Sequence, residues 1–159
     1  MTLRRVALPE VPGGLWLSAM PGRTEPLDDF LAATASLRIG HLLCLAGEAE
    51  IAARSPDYAA LLASGDRPWN WHAHPIQDFG IPGDATDFAA CLAEVAALLR
   101  DGERIVLHCA AGIGRTGTAA QCLLLTLGLD RAAAEERVAT AGSSPETPEQ
   151  RGFVDRFRA

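Results

Sequence analysis

Short apolar runs alternate along this chain with longer stretches in which apolar residues return every three to four positions. The runs at Leu15 to Ser18, His41 to Leu45, Trp71 to Ile76 and Arg104 to His108 predict strands. The periodic stretches predict helices near Pro26 to Leu37, Asp57 to Ala63, Ala85 to Arg100, Thr116 to Leu127, Arg131 to Ala141 and Pro148 to Phe157. Alternation of the two kinds predicts an α/β fold. Helical crossovers between short apolar strands imply a mostly parallel central sheet with helices on both faces, and a functional loop at the carboxyl end of a strand.

With 159 residues, 48% of them hydrophobic, the chain can bury one sizeable core, and nothing resembles a linker or a repeat. One domain over residues 1–159 is therefore expected. The apolar runs stop short of membrane-spanning length and the N-terminus lacks a signal-peptide core, so the expectation is a cytoplasmic protein without membrane contact. Four cysteines without paired spacing fit that reduced compartment. All 14 basic residues are arginine, and alanine is abundant, a bias that points to a GC-rich, bacterial genome. The net charge of −6 argues against nucleic acid as a partner, so any attraction for an anion has to be local.

The chemistry concentrates in Val106 to Gly117, which joins a cysteine, a glycine-bearing loop and an arginine between a strand and a helix. At such a turn, successive backbone N–H groups point into one concavity at the positive end of a helix dipole and hold a phosphate without lysines. Gly112 and Gly114 permit the backbone conformations and close approach that this needs. The same field favours the thiolate of Cys109, the reactive form. Arg115, six residues on, supplies a planar fork for the phosphoryl oxygens and their transition-state charge. The bare cysteine-to-arginine spacing would arise by chance about a third of the time in this composition, so the flanking strand, helix, glycines and Thr116 carry the inference.

His108-Cys109, five residues, then Arg115-Thr116-Gly117 resembles the signature of cysteine-dependent protein tyrosine and dual-specificity phosphatases. Leu15 to Gly22, Cys44 to Glu48, His74 to Asp78 with Pro82, and Glu146 to Gln150 resemble, in order, segments of the cyclin-dependent kinase-associated branch. The resemblance implies the dual-specificity phosphatase fold, a phosphorylated protein as substrate, and neither metal nor cofactor. It implies that Cys109 is the nucleophile, that Arg115 and the loop Ala110, Ala111, Gly112, Ile113 and Gly114 bind the phosphoryl group, and that Thr116 stabilises the sulfur as it leaves. An aspartate on a mobile loop protonates the leaving oxygen and then activates water. Asp78 matches that position, in a polar loop bounded by Pro75 and Pro82. Its rival Asp84 precedes a long helical stretch and reads better as an N-cap. Gln150 would help to orient the water, or else serve only in a capping box with Thr147. The absence of lysine beside the loop departs from lipid phosphatases of the superfamily.

Other residues carry plainer readings. Cys91 and Cys122 fall in apolar helical runs and belong to a core. Cys44 is either strand packing or a partner for a reversible disulfide with Cys109. His108 orients the loop through backbone carbonyls. His72 and His74, two residues apart on a strand, offer one face to a metal but have no further ligands at suitable spacing. Three functions compete: a phosphatase of phosphotyrosine and of phosphoserine or phosphothreonine; a cysteine-loop enzyme of another kind, such as a rhodanese or arsenate reductase; and a weakly active phosphoprotein-binding module. A phosphatase of a non-protein phosphoester is the nearest variant of the first, and a monomer is the expected state.

Overall fold

The computed structural model describes residues 3–159. The central sheet comprises β1 (Arg4–Val6), β2 (Gly14–Ser18), β3 (His41–Cys44), β4 (Asn70–Ala73) and β5 (Arg104–His108), arranged β1-β2-β5-β3-β4. β2, β5, β3 and β4 run parallel, and β1 lies antiparallel at one edge. The helices are α1 (Leu27–Ser36), α2 (Glu48–Arg54), α3 (Pro56–Ser64), α4 (Ala85–Arg100), α5 (Gly114–Thr126), α6 (Arg131–Thr140) and α7 (Pro148–Arg156).

Side-chain alternation along the strands explains the two covered faces. Leu15, Leu17, Leu43, Leu45, Ile105 and Leu107 pack with Phe88, Leu92, Leu123, Val138 and Phe153 from α4 to α7. The intervening Trp16, Leu42, Cys44 and Val106 pack on the other face with Phe30, Ile51 and Tyr58 from α1 to α3. β2, β5 and β3 are covered on both faces and so read as continuous apolar runs, whereas the edge strand β4 is only partly covered. All residues of β2 and β3 are buried.

The elements differ from the predicted ones chiefly at β1, α2, β4 and the start of α5. β1 is only three residues long and carries two arginines, so it has no apolar run to reveal it. α2 is one short helix with a single buried residue, Ile51, so it has no repeating apolar face to reveal it. β4 ends at Ala73 rather than Ile76, although His74 and Ile76 still donate N–H bonds to the Cys44 and Leu45 carbonyls; Pro75 between them has no N–H to extend the ladder. α5 starts at Gly114, two residues before the predicted Thr116.

Candidate active site

β5 delivers Cys109 to the carboxyl edge of the sheet, and the loop from Cys109 to Ile113 turns directly into α5. Gly112 makes that turn with φ +78°, and a Cβ there would collide with the Ser18 carbonyl, so the loop packs backbone-to-backbone on the end of β2. Met20 N–H reinforces this by donating to the Ala110 carbonyl at 2.9 Å. On this face of the sheet, α4, α6 and α7 each begin with a side-chain cap, from Asp84, Asp130 and Thr147. The N-cap position of α5 is Ile113, which supplies none. The first amides of α5 thus lack the side-chain acceptor that its neighbours have, as a helix that receives an anion requires.

Cys109 is buried, with its sulfur accepting from the Thr116 hydroxyl at 3.0 Å and from Gly112 N–H at 3.3 Å. Arg115, only 2% exposed, donates through Nη1 and Nη2 to the two carboxylate oxygens of Glu50, at 2.8 Å each. Nη1 also donates to the Ile76 carbonyl at 2.9 Å, and Nη2 lies 3.1 Å from Asp78 Oδ1. The terminal edge of the fork is therefore committed to Glu50. The Nε side, with the Nη2 proton now facing Asp78, is what remains for an oxyanion.

Asp78 also approaches Arg54, at 3.7 Å. Cys109, Ala110, Ala111, Gly114, Arg115, Asp78 and Gln150 all line one cavity of about 190 Å³, with Phe79, Arg23, Arg54 and Glu146 completing the wall. A larger depression of about 570 Å³ lies nearby between Ile81 to Ala89 and the C-terminal residues, without a nucleophile.

His108 sits beneath the loop in a closed network. Its Nδ1 is 3.0 Å from the Cys109 carbonyl, which only accepts, so Nδ1 carries the proton. Nε2 accepts from the Tyr58 hydroxyl at 2.8 Å, and the Tyr58 oxygen accepts from Trp71 Nε1 at 2.9 Å. Full burial lowers the His108 pKa to about 4 and keeps the ring neutral. The expected backbone-orienting role of His108 matches this geometry.

The structure thus gathers Cys109, the loop residues, Arg115, Thr116, Asp78 and Gln150 at one place. Asp84 caps α4 by accepting from Asp87 N–H at 3.0 Å, away from the cavity wall. Gln150 both ends the capping arrangement and lines the cavity: its N–H donates to Thr147 Oγ1, Oε1 accepts from Glu146 N–H, and Nε2 donates to the Gly80 carbonyl at 3.1 Å. Cys44 and Cys109 are free thiols in core layers on opposite sheet faces, and burial raises the Cys44 thiol to about 12. His72 pairs with His41 at 3.1 Å rather than with His74, which packs on Phe88; among the described residues no three potential ligands come together for a metal. Sequence reasoning missed Glu50. The signal available for it was the acidic pair Glu48 and Glu50 following the strand that ends at Cys44, with Arg54 four residues on.

A family model described as Swiss Army Knife protein, DSP-PTPase phosphatase domain, matches residues 18–152. Cyclin-dependent kinase inhibitor 3 of Homo sapiens is 31% identical over 94 residues, which is 55% of this chain and 42% of that protein. The chain thus spans less than half the length of that relative. Among solved structures, kinase associated phosphatase superposes with a TM-score of 0.83 at 22% identity, over 98% of this chain and 93% of the other. TpbA of P. aeruginosa, in complex with pTyr, has a TM-score of 0.64 at 19% identity, over 97% and 90%. Among the described residues no helix is long and apolar enough to cross a membrane. By its family match and its fold, the chain belongs to the DSP-PTPase phosphatase domains, the cysteine-based phosphatases of the protein tyrosine and dual-specificity type.

Proposed function

We propose that the protein hydrolyses phosphomonoesters on proteins, phosphotyrosine foremost and phosphoserine or phosphothreonine more slowly, through a phosphocysteine at Cys109. The observation that carries this reading is the convergence, in one cavity, of a sulfur with two hydrogen-bond donors, a buried guanidinium and an aspartate 3.1 Å from that guanidinium. In the first step the Cys109 thiolate attacks phosphorus in line, forming P–S while the P–O bond to the substrate breaks. Asp78, entering that step protonated, gives its proton to the departing alcohol or phenol. The loop amides and the Nε side of Arg115 take the equatorial oxygens. In the second step water adds to phosphorus, its proton passes to the Asp78 carboxylate, and the P–S bond breaks to return the thiolate, which Thr116 stabilises. Gln150 holds the Asp78 loop to α7 through Gly80 and lies on the wall where that water enters.

Phe79 supports the preference for aryl phosphates. It follows Asp78, lines the cavity, and is 60% exposed, unusual for a large apolar side chain. Its φ of +60° is uncommon for a residue with a bulky side chain and holds the ring at the mouth. There it can pack against a phenol ring but gains little from a threonine. The complex of TpbA with pTyr supports the same reading. A nucleophilic thiol must stay reduced, which fits a reducing compartment such as the cytoplasm.

The test is phosphate release, metal-free and with reductant, from para-nitrophenyl phosphate, phosphotyrosine and phosphothreonine peptides, and a phosphoinositide. The reading predicts a phosphotyrosine kcat/KM at least about tenfold above phosphothreonine, with the phosphoinositide slowest. A fastest phosphoinositide would move the substrate off protein, and no turnover of any ester by folded protein would overturn the phosphatase reading.

A further inference from the structure

The loop's geometry has an external support that the catalytic scheme does not use. Arg4, on edge strand β1, reaches 108 positions along the chain and donates through Nη2 to the Gly112 carbonyl at 2.7 Å. Ser143, buried just after α6, donates its hydroxyl to the same carbonyl at 2.6 Å. Arg4 Nη1 donates in turn to Ser143 Oγ at 2.9 Å and to the Ala141 carbonyl at 2.7 Å. The hydroxyl's one proton is thus spent on Gly112, and the guanidinium donates to one of its lone pairs, so neither side chain can turn away without losing a bond. Between Ala141 and Ser143 stands Gly142, φ +88°, where a Cβ would sit 2.8 Å from Arg4 Nη1.

In a trans peptide the carbonyl of one residue and the N–H of the next point in opposite directions. Drawing the Gly112 carbonyl toward Arg4 therefore aims the Ile113 N–H the other way, away from β1. Gly112 needs this restraint because the freedom that allows φ +78° also lets its peptide unit flip. A flipped unit would present a carbonyl where a phosphate needs a donor. We propose that Arg4, with Ser143, is a positioning residue that locks the Gly112–Ile113 peptide with its N–H facing the phosphate and its carbonyl facing out. The charge on Cys109 and the Arg4 guanidinium also feel one another, the thiolate opposing the loss of Arg4's proton that burial favours. The proposal rests on the phosphatase reading only for its kinetic readout.

The experiment compares wild type with Arg4→Ala, Arg4→Lys and Ser143→Ala in three measurements. These are kcat and KM on para-nitrophenyl phosphate, binding of inorganic phosphate by calorimetry, and thermal unfolding. A misaligned donor is expected to lower kcat/KM on the order of 10- to 100-fold in Arg4→Ala, with weaker phosphate binding, well below the unfolding temperature. Millimolar guanidinium ion restores part of that loss, Arg4→Lys falls in between, and Ser143→Ala shows the same loss in smaller degree. If Arg4→Ala does not fold, Ser143→Ala reads the same carbonyl. Wild-type phosphate affinity and kcat/KM within about twofold in a folded variant, or a loss that guanidinium leaves untouched, overturns the proposal. Phosphate binding that responds to Arg4 in a wild type without turnover would sustain the clamp while the phosphatase reading falls. Turnover that ignores Arg4 would do the reverse, and a wild type with neither turnover nor phosphate binding removes both.

Discussion

Glu50 and Arg115, 65 residues apart in sequence, meet through two parallel hydrogen bonds of 2.8 Å that fix which edge of the guanidinium faces the cavity. Arg115 is buried, so this pair works in a low dielectric, where a planar bidentate contact gives the most orientation. Glu50→Gln keeps the shape but replaces one acceptor with a donor against the guanidinium. It is expected to lower kcat/KM on the order of 10- to 100-fold through a raised KM for any phosphomonoester, because a guanidinium shifted by about 1 Å no longer meets the oxygens. Steady-state kinetics with unchanged thermal unfolding checks this. The hydrogen bond from Arg115 holds the Glu50 carboxyl below its usual pKa, so its contribution is present above the ordinary carboxylate range and is lost only as pH falls through the lowered value.

Asp78 occupies, in the absence of substrate, the Nη2 direction that a phosphoryl oxygen would take. Asp78→Ala therefore has two opposed effects. Proton donation to the leaving group disappears, which lowers kcat by about 100- to 10,000-fold for a phosphothreonine peptide and less for para-nitrophenyl phosphate, whose leaving group is a weaker base. Inorganic phosphate binds at least as tightly as to wild type, since a competing carboxylate has been removed. Weaker phosphate binding, or an equal loss on both esters, contradicts the assigned role.

His108 predicts a pH-dependent stability. Its pKa falls from the ordinary 6.5 to about 4 on folding, so between these values the unfolded chain binds the extra proton. Stability is full above pH 6.5 and is lost as pH falls toward 4, by roughly 3 kcal/mol for this one group. Carboxylates such as Glu10 and Glu50, with lowered pKa values, add losses of the same sign at lower pH. Urea unfolding of wild type and His108→Asn across pH 4 to 7 separates them: the variant starts less stable and shows the shallower decline through this window.

The residues that were legible in the sequence are those whose chemistry is local. Cys109, Gly112, Arg115 and Thr116 lie within eight consecutive positions, and the apolar strand before them and apolar helix after them place them together on one turn. Asp78 is singled out through the family resemblance, with its proline-bounded loop as a consistent setting and the capping position of its rival Asp84 deciding between them. Glu50 and Arg4 were not, because each meets the loop only after the sheet has assembled. Their own elements, α2 and β1, are too short for periodicity to register. The Arg115 fork also differs in detail from a grip free on both sides, since Glu50 already holds its terminal edge.

The central claim is that phosphate passes through the sulfur of Cys109. Mixing the protein with excess phosphotyrosine peptide, quenching in acid within milliseconds and mapping the phosphoryl group by mass spectrometry tests it most directly. The account predicts one phosphoryl group on Cys109, more of it in Thr116→Ala, where the sulfur leaves without its 3.0 Å hydroxyl donor, and none in Cys109→Ser at the same time point. Phosphate release at the wild-type rate with an unmodified Cys109, or with the phosphoryl group on another residue, would contradict it.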